Sequence, residues 1–149
     1  MEAVIFVGIQ GSGKTSFYRE RFFNSHVRIS LDMLRTRRRE QILFRACLAA
    51  GQSFVIDNTN PLPIDRARYV SEARQAGFRV VTYYFETSLG DAMRRNNQRL
   101  GKEKIPPMAL AATLRKLQAP SLQEGFDAVY VVTMGDGRFD IKEIETHHP

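Results

Sequence analysis

Lys14 and Thr15 close the run Gly8-Ile-Gln-Gly-Ser-Gly13-Lys14-Thr15, which has the G-x-x-x-x-G-K-[ST] spacing of a phosphate-binding loop. Gly8, Gly11 and Gly13 permit backbone angles that other residues resist. Their N–H groups can converge on an anion as a nest at a helix N-terminus. Lys14 adds a point charge for β- and γ-phosphates, and the Thr15 hydroxyl is placed for Mg²⁺. The expected nucleotide-binding stretch runs through Gly8, Gln10, Gly11, Ser12, Gly13, Lys14, Thr15 and Ser16, with ATP and Mg²⁺ as cofactors. The competing reading is a Gly-rich turn before an ordinary helix. A short run of β-formers before the loop and a helix-compatible run after it favour phosphate binding.

Two carboxylates could join this chemistry. Asp32 follows a short apolar stretch ending at Ile29. A transferred phosphoryl group needs an acceptor, and a hydroxyl acceptor gains from a carboxylate that takes its proton. Asp32 would also suit a helix dipole as a first-turn acid, and position alone fits both roles. Asp57 ends the apolar run Phe54-Val55-Ile56, a Walker-B-like placement near Mg²⁺ that also fits an Asx turn. Asn58, Thr59 and Asn60 make this exit rich in short polar side chains, read together with Asp57 as a substrate-binding cluster. Arg95 and Arg99 are spaced i, i+4 and are expected to share a helix face, with Arg94 pointing elsewhere. With Lys102, Lys104 and a hinge at Gly101 they form a basic lid around residues 94–105. Such arginines can offset charge in a phosphoryl transition state; a solvated basic face is the alternative. Arg35 lies one turn beyond Asp32, where it can meet an acceptor's phosphate, and Arg37, Arg38 and Arg39 extend the basic run.

The elements that must position these residues alternate. Strands are expected at 3–7, 26–30, 53–56, 78–85 and 128–133, with a further edge strand at 139–144 after a turn at 135–137. Helices are expected after the loop, from about 30 to 50, and over 64–76, 88–99 and 108–117. Leu34, Ile42, Leu43, Cys47 and Ala50 are read as the apolar face of the second helix. Ser88 reads as an N-cap with Asp91 at N3, His26 as a surface turn residue, and residues 145–149 as a loose tail. This alternation predicts one α/β domain with a parallel sheet of about five strands flanked by helices, and the Gly8–Thr15 loop on it points to the P-loop NTPase/kinase fold class. Ligands in such sheets lie at the carboxyl ends of the strands, where the loop, Asp32 and residues 57–60 all fall.

At 149 residues, with 43% hydrophobic and 26% charged, the chain is long and apolar enough for a folded core. No apolar run reaches membrane-spanning length. No secretory leader is read at the N-terminus. The single cysteine, Cys47, excludes an internal disulfide and suggests a reducing cytoplasm. No Cys/His spacing suggests zinc. A net charge of +6 favours polyanionic partners.

The residues also resemble a family. The chain is similar to the kinase domain of polynucleotide 5′-hydroxyl kinases, of both phage and animal DNA-repair type. The resemblance is carried by the Gly8–Thr15 loop, Ser30-Leu31-Asp32, Asp57-Asn-Thr-Asn-Pro61 with Arg66-Ala-Arg-Tyr-Val70, the pattern Arg95-Asn96 with Arg99, Ile105-Pro106, and the segment from Ala119 to Phe126. It covers nearly the whole chain in order. It implies that Lys14 and Thr15 bind phosphates and Mg²⁺, Asp32 is the general base, Arg95 and Arg99 are lid residues, and Arg35 holds the acceptor's phosphate. Ser30-Leu31 departs from the family's usual Asn-Arg beside the base. The acceptor implied is the 5′-OH end of DNA or RNA. A small-molecule kinase and an ATP-binding regulatory module are the two alternatives.

Overall fold

A computed structural model of the chain describes residues 1–99, 101 and 104–144. Lys102 of the expected lid, and the tail from residue 145, lie outside the described residues. The sheet is built on β1 (Glu2–Val7), whose five residues from Ala3 to Val7 are all buried. Alternation along the strand sends Ala3 and Ile5 to one face and Val4 and Phe6 to the other. β1 pairs in parallel with β3 (Phe54–Ile56) and with β4 (Arg79–Phe85). β2 (Val27–Ile29) pairs in parallel with β3, and β5 (Ala128–Gly135) with β4. The order is β2-β3-β1-β4-β5-β6. β6 (Arg138–Glu143) makes a sixth strand, antiparallel to β5. A two-residue turn makes this possible: Asp136 and Gly137 both have positive φ, which a tight hairpin requires.

One sheet face packs α3 (Arg37–Ala50) and α4 (Pro63–Gln75) over Phe44, Cys47, Tyr69, Val70 and Ala73. The other packs α1 (Lys14–Arg21) through Phe17, Tyr18 and Phe22 against Phe6 and Phe85. Here Phe17 meets Phe139 of β6 with ring centres 5.1 Å apart.

The expected continuous helix from 30 to 50 is two helices. α2 (Leu31–Leu34) is four residues long and ends at Arg35, whose φ is 75°. Thr36 then caps α3, accepting a hydrogen bond from the Arg39 amide at 3.2 Å. The break re-phases the helix: Glu40, Phe44 and Cys47 are buried, while Ile42, expected on the core face, is 59% exposed. His26 is not a free surface residue; its Nε2 lies 3.0 Å from a Glu2 carboxylate oxygen and its ring packs on Phe22.

α5 (Leu89–Asn97) starts at Ser88, which caps the Asp91 amide as the sequence suggests. It stops before Arg99, so Arg95 and Arg99 do not share one helix; the Arg99 amide continues the turn to Asn96 O. α6 (Pro107–Lys116) packs against α5, and a 3-10 turn, Leu122–Glu124, leads toward β5.

Candidate active site

The loop after β1 is held by its neighbours. Gly8 N donates to Thr59 O across the sheet edge at 3.1 Å. Gly11 and Gly13 have φ of 78° and 97°, and each is crowded: a Cβ on Gly11 would lie 2.8 Å from Ala92 O of α5, and one on Gly13 would lie 2.8 Å from the Met134 methyl of β5. Gly11 is required twice over, by conformation and by a backbone oxygen in the way, and Gly13 by its conformation, since the methionine end can move aside. Ser12 Oγ and Gln10 Oε1 are buried in this loop without a hydrogen-bond partner among the described residues, while Ser16 is exposed on the first turn of α1. Buried polar groups are normally satisfied, so an incoming polar ligand suits the loop.

Lys14 Nζ donates to Gly8 O and Ile9 O, both at 2.9 Å. Burial pulls its pKa down to about 8, assisted by Arg99, while Asp57 and Asp32 push it back up. Three residues from three separate segments of the sequence, Asp32, Asp57 and Arg99, therefore act on one ammonium.

Asp57 is 2% exposed at its side chain. Its Oδ2 accepts from Thr15 Oγ1 at 3.2 Å and from Arg28 Nε at 2.8 Å. Arg28 Nη2 also reaches Thr15 Oγ1 at 3.4 Å. A hydroxyl and one carboxylate are hard oxygen donors, the set that suits a Mg²⁺ completing its shell with phosphates and water. Among the described residues no three or more of His, Cys, Asp and Glu gather into a metal cluster.

Asp32 sits in the first turn of α2 and is exposed, free to meet a second substrate. Arg35 is exposed at the α2–α3 break. It lies past the end of α2, so the helical turn that the sequence spacing from Asp32 implies is not completed at Arg35. Of the basic run, Arg37 pairs with Glu40 at 3.1 Å, and Arg39 donates to Leu34 O at 3.2 Å.

The polar exit of β3 divides. Thr59 gives its carbonyl to the phosphate loop, as above. Asn60 Nδ2 is buried against Phe6 O at 2.8 Å. The Asn58 amide is engaged at both ends, by the Leu31 amide and by Glu40. The sequence grouped Asn58 and Asn60 with substrate contacts; the fold uses both amides internally.

From α5, Arg95 Nη1 donates to Gly11 O at 3.0 Å and lies 3.4 Å from Thr87 Oγ1. Arg94 is exposed and pairs with Asp91. A cleft of about 420 Å³ opens beside the loop, lined by Ser12, Glu86, Thr87, Ser88, Asp91, Arg95, Thr133 and Met134. Sequence reasoning missed Arg28 and Glu40. A charged residue between Val27 and Ile29 of a short apolar strand was the available signal for Arg28; nothing distinguished Glu40 from a surface acid.

Residues 4–120 match the AAA domain family. The chain is 30% identical over 139 residues to the putative bifunctional polynucleotide phosphatase/kinase of Acanthamoeba polyphaga mimivirus, covering 89% of this chain and 33% of that protein. It is 26% identical over 132 residues to the bifunctional polynucleotide phosphatase/kinase of Schizosaccharomyces pombe, covering 86% and 32%. The chain thus spans about a third of the length of these curated relatives. Among solved structures it is similar in fold to Chaetomium thermophilum Kti12 in complex with ADP-AlF3, with a TM-score of 0.63, 17% identity and 90% of each chain covered.

Proposed function

Since the chain belongs to the AAA domain family and has a P-loop kinase fold, we propose that it transfers the γ-phosphoryl group of Mg²⁺-bound ATP to a hydroxyl, preferentially the 5′-OH end of a polynucleotide. The observation that carries the reading is the convergence on Lys14 of one carboxylate tied to Thr15 and a second that is exposed. The two environments suit two roles. Asp57 and Thr15 hold the metal, which when bound neutralises charge on the β- and γ-oxygens. Asp32 takes the proton of the acceptor hydroxyl as the new P–O bond forms and the bond to the β-phosphate oxygen breaks. Lys14 and the N–H groups of Gly11 to Thr15 bind the phosphates. Arg95 and Arg99 close from the lid and offset transition-state charge. The nucleoside enters the cleft beside Ser12 and Arg95, and Thr59 with Asp57 forms the β3 side of the acceptor site.

The polynucleotide acceptor is supported by the names of the two relatives, by the net charge of +6 and by the exposed Arg35, three residues after Asp32 in the sequence. The buried Cys47 suits a reducing compartment such as the cytoplasm. The test is transfer of labelled γ-phosphate to 5′-OH oligonucleotides of increasing length at several salt concentrations. Apparent affinity is expected to fall log-linearly with salt, with a slope of roughly −0.7 per phosphate contacted. Lys14→Ala abolishes transfer, and Arg35→Ala flattens the slope while nucleotide affinity holds. A protein that hydrolyses ATP but labels no 5′-OH end overturns the polynucleotide acceptor in favour of a small hydroxyl compound.

A further inference from the structure

Behind the Asp32 turn lies a polar cluster that phosphate binding does not use. Glu40 of α3 is fully buried. A carboxylate there requires donors, and it has them. Tyr69 Oη donates to Oε1 at 2.5 Å, Arg37 Nη1 to the same oxygen at 3.1 Å, and Asn58 Nδ2 to Oε2 at 2.9 Å. The other end of the Asn58 side chain accepts from the backbone N–H of Leu31 at 2.9 Å.

Direction matters in this chain of bonds. An ionised carboxylate can only accept, whereas a side-chain amide has a donor end and an acceptor end. Glu40 therefore fixes Asn58 with its nitrogen inward and its oxygen toward Leu31. Leu31 opens α2 and immediately precedes Asp32. The N-terminal amides of a helix have no partners within it, and Ser30, in the capping position, makes no side-chain bond to them. α2 is one turn long and ends at the positive-φ Arg35, so it has few bonds of its own to hold its carboxylate in place.

We infer that Asn58, oriented by Glu40, is a positioning residue that caps α2 from the neighbouring β3 exit and so fixes where the Asp32 carboxylate stands. It acts on turnover through Asp32 and leaves nucleotide affinity alone. This rests on the reading of Asp32 as the general base.

Two measurements test it. The first needs no activity: hydrogen exchange at the Leu31–Leu34 amides should speed up in Asn58→Leu and in Glu40→Gln, where the amide is free to turn over. Unchanged protection in both variants overturns the cap. The second is kcat and nucleotide Kd for phosphorylation of a 5′-OH oligonucleotide, with each variant made in the wild-type and Asp32→Asn backgrounds. Small displacements of a catalytic group are costly, so Asn58→Leu should lower kcat about 10- to 100-fold with nucleotide Kd nearly constant. In the Asp32→Asn background it should add no further loss. An equal loss in both backgrounds, or a raised acceptor KM at unchanged kcat, overturns the inference; the latter makes Asn58 a substrate contact. Wild-type turnover by Asp32→Asn alone overturns the base assignment itself. Should Asn58→Leu not fold, Glu40→Gln is read by the same criteria.

Discussion

Lys14 shows how a single side chain registers its surroundings. Burial lowers its pKa to about 8 from an ordinary 10.5. A triphosphate favours the charged ammonium, so binding takes up a proton wherever free Lys14 is partly neutral. This group's contribution to affinity should be level below a pH of about 8 and should fall as the pH rises beyond it. Titration calorimetry at alkaline pH in two buffers of different ionisation enthalpy reads the uptake, and equal heats would contradict it. The free protein follows the same sign rule. Between the folded and unfolded pKa values the folded chain holds fewer protons than the unfolded one, so stability from this group rises with pH across that window. The identity of Lys14 was plain from its motif. Its charge state was not, because that depends first on burial and then on Asp57, Arg99 and Asp32, all of which only the folded sheet edge supplies.

At the scale of elements, the strands and the phosphate loop were legible because short apolar runs of β-formers and glycine spacing are local signals. The α2–α3 break was not. Its sequence, Leu34-Arg35-Thr36-Arg37, contains no glycine or proline, and the signal was only the capping preference of Thr36. The end of α5 was equally hidden, since Arg95 and Arg99 fit a helical spacing that the helix does not complete. Beyond the end of α5 the described residues are tied by Asn96. Its buried amide donates to Ile105 O and accepts from Ile105 N at 2.7 Å, as a paired strand would. The two bonds tie together the ends of the segment that carries Arg99. Asn96→Leu should free that segment: its amides should exchange several-fold faster while those of β1 and β4 keep their protection. A uniform change, or none, would deny Asn96 this local role.

Across the whole molecule, the last third of the chain is joined to the rest by a buried ion pair as well as by strand pairing. Arg66 of α4 is fully buried, 3.0 Å from a Glu124 carboxylate oxygen, and its Nη1 donates to Gln118 O at 2.9 Å. Removing one member of such a pair strands the other charge and costs about 3–5 kcal/mol. Total stability is typically only about 5–15 kcal/mol, so Arg66→Ala should lower Tm by about 6–20 °C at about 2–4 °C per kcal/mol. Thermal melting checks it, and a shift within a degree or two would show that the pair is idle. The motif around Arg66 was visible in the sequence, but its partner lies 58 residues away and no local pattern reports it.

The strand order also sets a sequence of events in time. β1 is made before any other strand, yet it occupies the middle of the sheet and pairs only with β3 and β4. At about 5–20 residues per second of synthesis, its apolar residues spend several seconds with neither neighbour in existence. The second neighbour is complete only at Phe85, past the midpoint of the 149-residue chain. During that interval the nascent chain exposes a strand that will later be its most buried, and a chaperone has its clearest target there. A nucleotide cannot assist at this stage, because the loop that would grip it still hangs from an unpaired strand.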